Sequence, residues 1–399
     1  MWQPDEGQGL PSATRGLEPI RARSIEPAKA GVDDPLHLPT GIAPPPMKRL
    51  LWTIGISLLI SACGPAGTDQ GQLATTSTTS LPPPLGSTTV TSSVDGRSLI
   101  SEPAKAYIEE AIALMRQYSI NRDLVDWDLV QTSAFGAASG AQSAANTYQA
   151  IRIALSLLED NHSVFFTPGE ADSFTDEAAV FVTPTVEARP DRLGYVSIGR
   201  FLGDIGGDAD SYAADLAGRI GAADAEVCGW IMDLRSNGGG NMWPMLAGVA
   251  PLLEQGEVGF FTYPTGTVES WVINGSLALW DGAVMVDNSL QDPAYVDRPV
   301  AVLISSFTGS SGEAVAVAFH GQAEVRFFGQ STAGLTTSNE LVELSDGALI
   351  ALTMSNFTDR LGLQYGQGIS VQPDEATADF TEAENAAVKW LLAHPACTS

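Results

Sequence analysis

The residues best suited to chemistry lie in Thr308-Gly309-Ser310-Ser311-Gly312-Glu313, in Arg235-Ser236-Asn237-Gly238-Gly239-Gly240, and at His162. Acyl transfer needs a nucleophile, a base within reach of it and donors for an oxyanion. These segments offer one of each: Ser310, His162 and the backbone amides of the glycine run. Val300–Ile304 is a short apolar, β-branched run that predicts a buried strand, and Glu313–Phe319 predicts a buried helix, so Ser310 stands in the turn between them. At such a turn the first amides of the helix lack partners, and they and the helix dipole would stabilise negative charge near the hydroxyl. The same residues fit a simpler role, because Ser310-x-x-Glu313 also satisfies a capping box. His162 has the unperturbed pKa that a general base needs, although a histidine ending a helix is favoured by the dipole alone. Glycines after a buried strand let substrate approach the backbone closely, and a tight turn is the plainer alternative.

The elements that must position these groups can be read from periodicity and caps. Ser101 and Pro103 start a helix that runs to about Tyr118. A second helix, with Asn146 and Gln149 in capping-box register, carries Ile151, Ala154, Leu155 and Leu158 and ends in Glu159-Asp160-Asn161-His162-Ser163. Leu193–Phe201 predicts a strand, Tyr212–Ile220 a helix, and Glu226–Leu234 a buried strand that leads into the glycine run. A helix from Met245 to Leu253 follows, and Val258–Asp297 reads as loop-rich. Val325–Gly329 predicts a strand, Leu341–Thr353 a hairpin turned at Ser345-Asp346-Gly347, and Thr381–Ala393 a last helix. Strands alternating with helices imply an α/β arrangement around a mostly parallel sheet.

Composition bounds the partners. The chain of 399 residues carries 47 acidic against 20 basic side chains, a net charge of −27, which argues against nucleic acid or an anionic membrane surface. Cys63, Cys228 and Cys397 show no metal-ligand spacing, and Cys228, in an apolar run, reads as a buried thiol. A three-histidine site would have to gather nearly all of His37, His162, His320 and His394, so no metal and no cofactor is expected.

Residues 1–46 lack hydrophobic periodicity and read as disordered, untranslated sequence before a start at Met47. Met47-Lys48-Arg49, the apolar run Leu50–Ile60 and Ile60-Ser61-Ala62-Cys63 have the shape of a secretory signal over 47–63. This stretch resembles a bacterial lipoprotein signal, which implies lipidation of Cys63, anchorage to the cell membrane and an extracytoplasmic location. Residues 64–97, rich in Ser, Thr and Pro, predict an extended tether. The folded part then divides into a helical subdomain over 98–165, carrying His162, and a core over 166–399.

Four stretches together resemble the tail-specific, or C-terminal-processing, serine peptidases: LLEDNHS at 157–163, DLRSNGGG at 233–240, TGSSGE at 308–313 with GQSTAG at 329–334, and GISVQPD at 368–374. The resemblance implies a crotonase-like ββα spiral core and a serine endopeptidase acting on a peptide or protein substrate. It implies that Ser310 is the nucleophile and that Gly239 and Gly240, with the amide of Ser311, form the oxyanion hole. One branch of the family uses a lysine at the position that is Leu335 here, and the only lysines after residue 98 are Lys105 and Lys389, so the usual Ser–Lys dyad is excluded. The tricorn-like branch uses a histidine at the position of His162. That branch has a serine where this chain has Asn161 and a glutamate where it has Tyr365, which leaves Asn161 or Asp160 to orient the imidazole. Residues 163–192 leave no room for the PDZ domain common in the lysine branch. Members of the family often assemble into multimers. The competing reading is a catalytically inactive binder of the same fold, holding a hydrophobic ligand or a peptide.

Overall fold

A computed structural model describes residues 99–175, 180–203, 207–288 and 297–398. The expectations for residues 1–97, including the signal, the lipidated Cys63 and the tether, lie outside the described residues. The chain begins with helices α1 (Glu102–Tyr118), α2 (Trp127–Ala137) and α3 (Tyr148–Ser156), followed by β1 (Val164–Phe166), α4 (Pro168–Thr175), β2 (Val180–Phe181) and β3 (Thr185–Ala188). Next come β4 (Leu193–Ser197), β5 (Phe201–Leu202), α5 (Gly207–Asp224), β6 (Gly229–Asp233) and α6 (Met242–Gly248). Strands β7 (Gly256–Thr262), β8 (Val268–Asn274), β9 (Leu277–Trp280) and β10 (Ala283–Asp287) precede β11 (Val300–Ile304), α7 (Ser311–Phe319) and β12 (Val325–Gly329). The chain closes with β13 (Thr337–Glu343), β14 (Leu349–Asp359), β15 (Glu375–Ala376), α8 (Phe380–Ala393) and α9 (Pro395–Thr398).

This is the expected α/β class, built around two sheets. One has the order β15-β12-β11-β6-β4-β3 and is parallel except for the β3–β4 pair. The other is antiparallel, in the order β1-β14-β7-β8-β9-β10, with β13 also on β14. Helix α7 packs on β11 on one side and on β7 and β14 on the other, so it lies between the sheets. Its sequence, SGEAVAVAF, is buried all round, which suits a helix between two apolar layers. Outside this sandwich, α8 covers the parallel sheet with Ala383, Ala387 and Leu391. Helices α1 and α3 bury Ile108, Met115, Ile151 and Leu155 against Ile350 and Leu352 of β14.

Local signals hold in several places. Ser101 caps α1, its hydroxyl accepting from the Ala104 amide at 3.3 Å, and the hairpin β13–β14 turns at residues 344–348 as expected. Three expectations need correction. The stretch Val258–Asp297 is not loop-rich, since residues 256–287 hold four antiparallel strands from which Val258, Phe261, Trp271 and Ile273 enter the core. The helix ending near His162 starts at Tyr148 after a 3₁₀ turn, without a side-chain cap, and α2 precedes it unpredicted. Cys228 is no free thiol: it is disulfide-bonded to Cys397, 169 residues on, tying the start of β6 to the C-terminal helix.

Candidate active site

Strands β6 and β11 are parallel neighbours, with Asp233 beside Leu303, so the loops at their C-terminal ends leave the sheet side by side. Polar bonds stitch the two loops together. Thr308 Oγ1 donates to the Leu234 carbonyl at 2.9 Å, Ser305 Oγ to the Arg235 carbonyl at 2.7 Å, and the Gly309 amide to the Asn237 carbonyl at 3.0 Å. Gly312, in the first turn of α7, permits this approach, because a Cβ there would sit 2.3 Å from the Asn237 carbonyl oxygen.

Ser310 occupies the turn with φ 51° and ψ −121°, a conformation that L-residues rarely adopt. Such strain persists only where its surroundings enforce it, and it concentrates at functional sites. The same strand, sharp turn and helix carry the nucleophile in unrelated hydrolases. One restraint is Glu313, fully buried, whose Oε2 accepts from the Ser310 amide at 3.0 Å. The expected Glu313 arm of the capping box is therefore present, and the carboxylate does more than close the helix. It also accepts from the Gly334 amide at 2.8 Å, the Leu335 amide at 2.8 Å and the Thr332 hydroxyl. Burial pushes its pKa up to about 7, against the opposite pull of these four donors.

Across the turn, Gly239 and Gly240 have φ of 116° and 121°. A Cβ on Gly239 would lie 2.9 Å from Ser310 Cβ and 3.4 Å from Ser310 Oγ, so the bare backbone of this loop faces the hydroxyl. The two glycines differ in what their amides do. Gly239 donates to Asn237 Oδ1 at 3.0 Å, whereas no hydrogen bond of the described residues uses the Gly240 amide. The Ser311 hydroxyl donates to the Gly240 carbonyl, fixing the loop to the start of α7, and the Ser311 amide opens that helix without an intrahelical partner.

His162 lies just before β1, in a turn whose backbone is held from both sides. Asp160 Oδ1 accepts from the amides of His162 at 3.1 Å and Ser163 at 2.6 Å, and Asn339 Nδ2 donates to the His162 carbonyl at 2.6 Å. The ring is 3% exposed, and burial alone pulls its pKa down to about 4. Its Nδ1 is 2.8 Å from the hydroxyl of Thr337, itself buried at the start of β13. Neither residue expected to orient the imidazole does so by hydrogen bond: Asp160 binds backbone, Ser163 and Thr353, and Asn161 is exposed. Thr337 was missed because a threonine opening a strand has no sequence signature.

One segment contacts both His162 and the carboxylate that holds the Ser310 amide. Residues 334 and 335 bind the Glu313 carboxylate under Ser310, and residues 337 and 339 bind His162. The Ala333 amide also donates to the Thr308 carbonyl at 2.8 Å. With Nδ1 engaged by Thr337, Nε2 is the ring nitrogen left for the serine, and among the described residues no hydrogen bond joins the ring to the Ser310 hydroxyl. Apo sites are commonly looser than their substrate complexes. A Cβ on Gly309 would lie 3.7 Å from Leu335 Cδ1, so an apolar side chain occupies the neighbourhood where the lysine branch has its amine. Tyr365 is buried, with its hydroxyl 3.4 Å from Asp359 Oδ2, and it is not bonded to His162. Among the described residues no group of His, Cys, Asp and Glu could hold a metal ion, and no helix is long and apolar enough to cross a membrane.

Comparisons with known proteins bear on the family and the fold. The profile of peptidase family S41 matches residues 192–377. A nisin-resistance protein of Lactococcus lactis subsp. lactis is 29% identical over 298 residues, covering 73% of this chain and 88% of the relative. A carboxyl-terminal-processing protease of Synechocystis sp. is 27% identical over 172 residues, 43% of this chain and 35% of that relative. In fold, a lipoprotein from Streptococcus agalactiae aligns over 73% of this chain and 97% of its own with a TM-score of 0.60 at 22% identity. The photosystem II D1 C-terminal processing protease aligns over 74% of this chain and 99% of its own, with a TM-score of 0.50 at 16% identity. Residues 192–377 therefore form a peptidase family S41 domain, the domain of the tail-specific and C-terminal-processing peptidases of serine type.

Proposed function

We propose that the chain is an extracytoplasmic, lipid-anchored endopeptidase that cleaves peptide bonds by a Ser–His mechanism. The observation that carries this reading is the backbone of Ser310, strained between a buried strand and a buried helix with a bare glycine loop facing its hydroxyl. In the proposed reaction, His162 Nε2 removes the proton as Ser310 Oγ attacks the carbonyl carbon. The oxyanion is held by the amides of Gly240 and Ser311, the amide of Gly239 being committed to Asn237. The imidazolium then protonates the leaving amine, and a water, deprotonated by the same imidazole, releases the acyl group from Ser310. Leu335 supports the histidine branch, since it leaves no amine beside Gly309 to serve as base.

The location rests on the lipoprotein-like signal ending at Cys63, with which two other features agree. A disulfide persists outside the reducing cytosol, and one relative in fold is described as a lipoprotein. Another is named for nisin resistance, which makes nisin the first substrate to try, followed by short unstructured peptides. The test is peptide cleavage followed by chromatography and mass spectrometry. Ser310→Ala should lower kcat by roughly four to six orders of magnitude while leaving the fold intact. An alanine variant that cleaves at the native rate refutes the assignment. A native chain that cleaves no peptide yet retains one favours the inactive binder.

A further inference from the structure

The mechanism needs the neutral imidazole to carry its proton on Nδ1, so that Nε2 can accept from the serine. Sequence expectations put Asp160 or Asn161 in charge of that choice, and neither is hydrogen-bonded to the ring among the described residues. The only group hydrogen-bonded to the ring among the described residues is the Thr337 hydroxyl, 2.8 Å from Nδ1. A threonine hydroxyl can donate or accept, and the tautomer of a histidine follows the bond made at its other nitrogen.

We propose that Thr337 is the positioning residue of this site, its Oγ1 accepting from His162 Nδ1–H so that the bare Nε2 is turned toward Ser310. The inference rests on the Ser–His reading above and adds what selects the tautomer. Thr337 is well placed for the task because its backbone cannot drift independently of the nucleophile. Two residues upstream, the Leu335 amide is bound to Glu313 Oε2, which also holds the Ser310 amide. Between them, Thr336 Oγ1 donates within the loop containing Gly366 and Ile369, with both carbonyls at 2.8 Å. Two residues downstream, Asn339 holds the His162 carbonyl and is itself oriented by the Thr353 hydroxyl at 2.9 Å. The strand entering β13 thus acts as a ruler. It fixes the height of the imidazole through Thr337 and Asn339 and the height of the serine through Glu313. A hydroxyl in this place, unlike a carboxylate, adds no charge beside the ring, so the tautomer is chosen by geometry without an ion pair.

The tautomer can be read directly from ¹⁵N chemical shifts of the histidine ring in full-length chain carrying Ser310→Ala, with His162→Ala used to assign the signal. The expected result is a neutral ring protonated at Nδ1. A neutral ring protonated at Nε2 overturns the proposal whether or not the chain is a peptidase, so its failure is separable from failure of the Ser–His reading. In the otherwise native enzyme, Thr337→Val should lower kcat/KM about tenfold through kcat, the worth of one hydrogen bond, and should abolish the tautomer preference. Thr337→Ser should restore both. A Thr337→Val enzyme with native kcat and an unchanged tautomer, or a serine variant that restores neither, contradicts the role.

Discussion

Replacing Gly239 by alanine tests the site with one methyl group. The new Cβ would lie 2.9 Å from Ser310 Cβ, 3.2 Å from the Gly309 carbonyl oxygen and 3.4 Å from Ser310 Oγ. Carbon atoms in good contact sit about 3.5–4.0 Å apart, so the glycine loop and the serine turn must separate by roughly 0.6–1 Å. That displacement falls on the distance between the hydroxyl and the amides proposed to receive the oxyanion. A misplacement of about 1 Å can cost roughly a hundredfold in rate. The residue also keeps φ near 116°, which costs an L-residue about 1–3 kcal/mol, within the stability of an ordinary domain. Gly239→Ala should therefore remain folded, with kcat about a hundredfold lower, KM little changed and the thermal midpoint lowered by several degrees. Gly240 provides the contrast, because a Cβ there would sit 2.0 Å from the Phe201 carbonyl oxygen, a backbone atom with no room to yield. That variant should misfold. Saturating peptide-cleavage kinetics with circular dichroism melting separate the cases. A Gly239→Ala enzyme with native kcat refutes the placement of this loop beside the reacting atoms.

Other outcomes follow from the buried polar groups. The base must be neutral to accept a proton, and burial holds His162 near pKa 4, so kcat/KM should stay flat from about pH 8 to pH 5 and fall by half near 4. Half-loss near pH 6.5 in the pH–rate profile would contradict it. The same depression means that the unfolded chain binds this proton more readily, so stability is lost as pH falls from about 6.5 through 4, and His162→Ala should blunt that loss in urea titrations. Glu313→Gln keeps one acceptor oxygen and turns an amide toward donors, leaving about two of the four unmet. It should destabilise the fold by about 2–6 kcal/mol in denaturant unfolding, and a change below 1 kcal/mol would mean that the carboxylate does not hold the turn. Replacing Cys228 and Cys397 together by serine should cost about 2–5 kcal/mol, and an unchanged denaturation midpoint would contradict a closed disulfide.

Most of what lay along a single element could be read from the sequence. The helix after Ser310 is apolar on every face because it lies between two sheets, the strand before it because helices α7 and α8 cover its two faces, and the glycine run follows a strand with the same character. What could not be read depends on pairing between distant segments. Strands β7 to β10 are short and interrupted by turns, and their alternation serves a second sheet that no local pattern announces. Helix α2 buries only Val130 and Ala134, too narrow a stripe to mark it. The disulfide joins cysteines with no informative spacing, and Thr337 acquires its role only when β13 is laid beside the turn at His162. The acid sought for the imidazole was named from nearness in sequence, and Asp160 instead spends its oxygens on the backbone of its own turn and on neighbouring hydroxyls.

The central claim is that Ser310 is a nucleophile activated by His162. Intact-mass and peptide mapping after exposure of the native chain to a fluorophosphonate would test it most directly. One adduct on Ser310, absent in Ser310→Ala and formed far more slowly in His162→Ala, is the result this account predicts. An adduct on another residue, or one that persists in the Ser310→Ala chain, would contradict it.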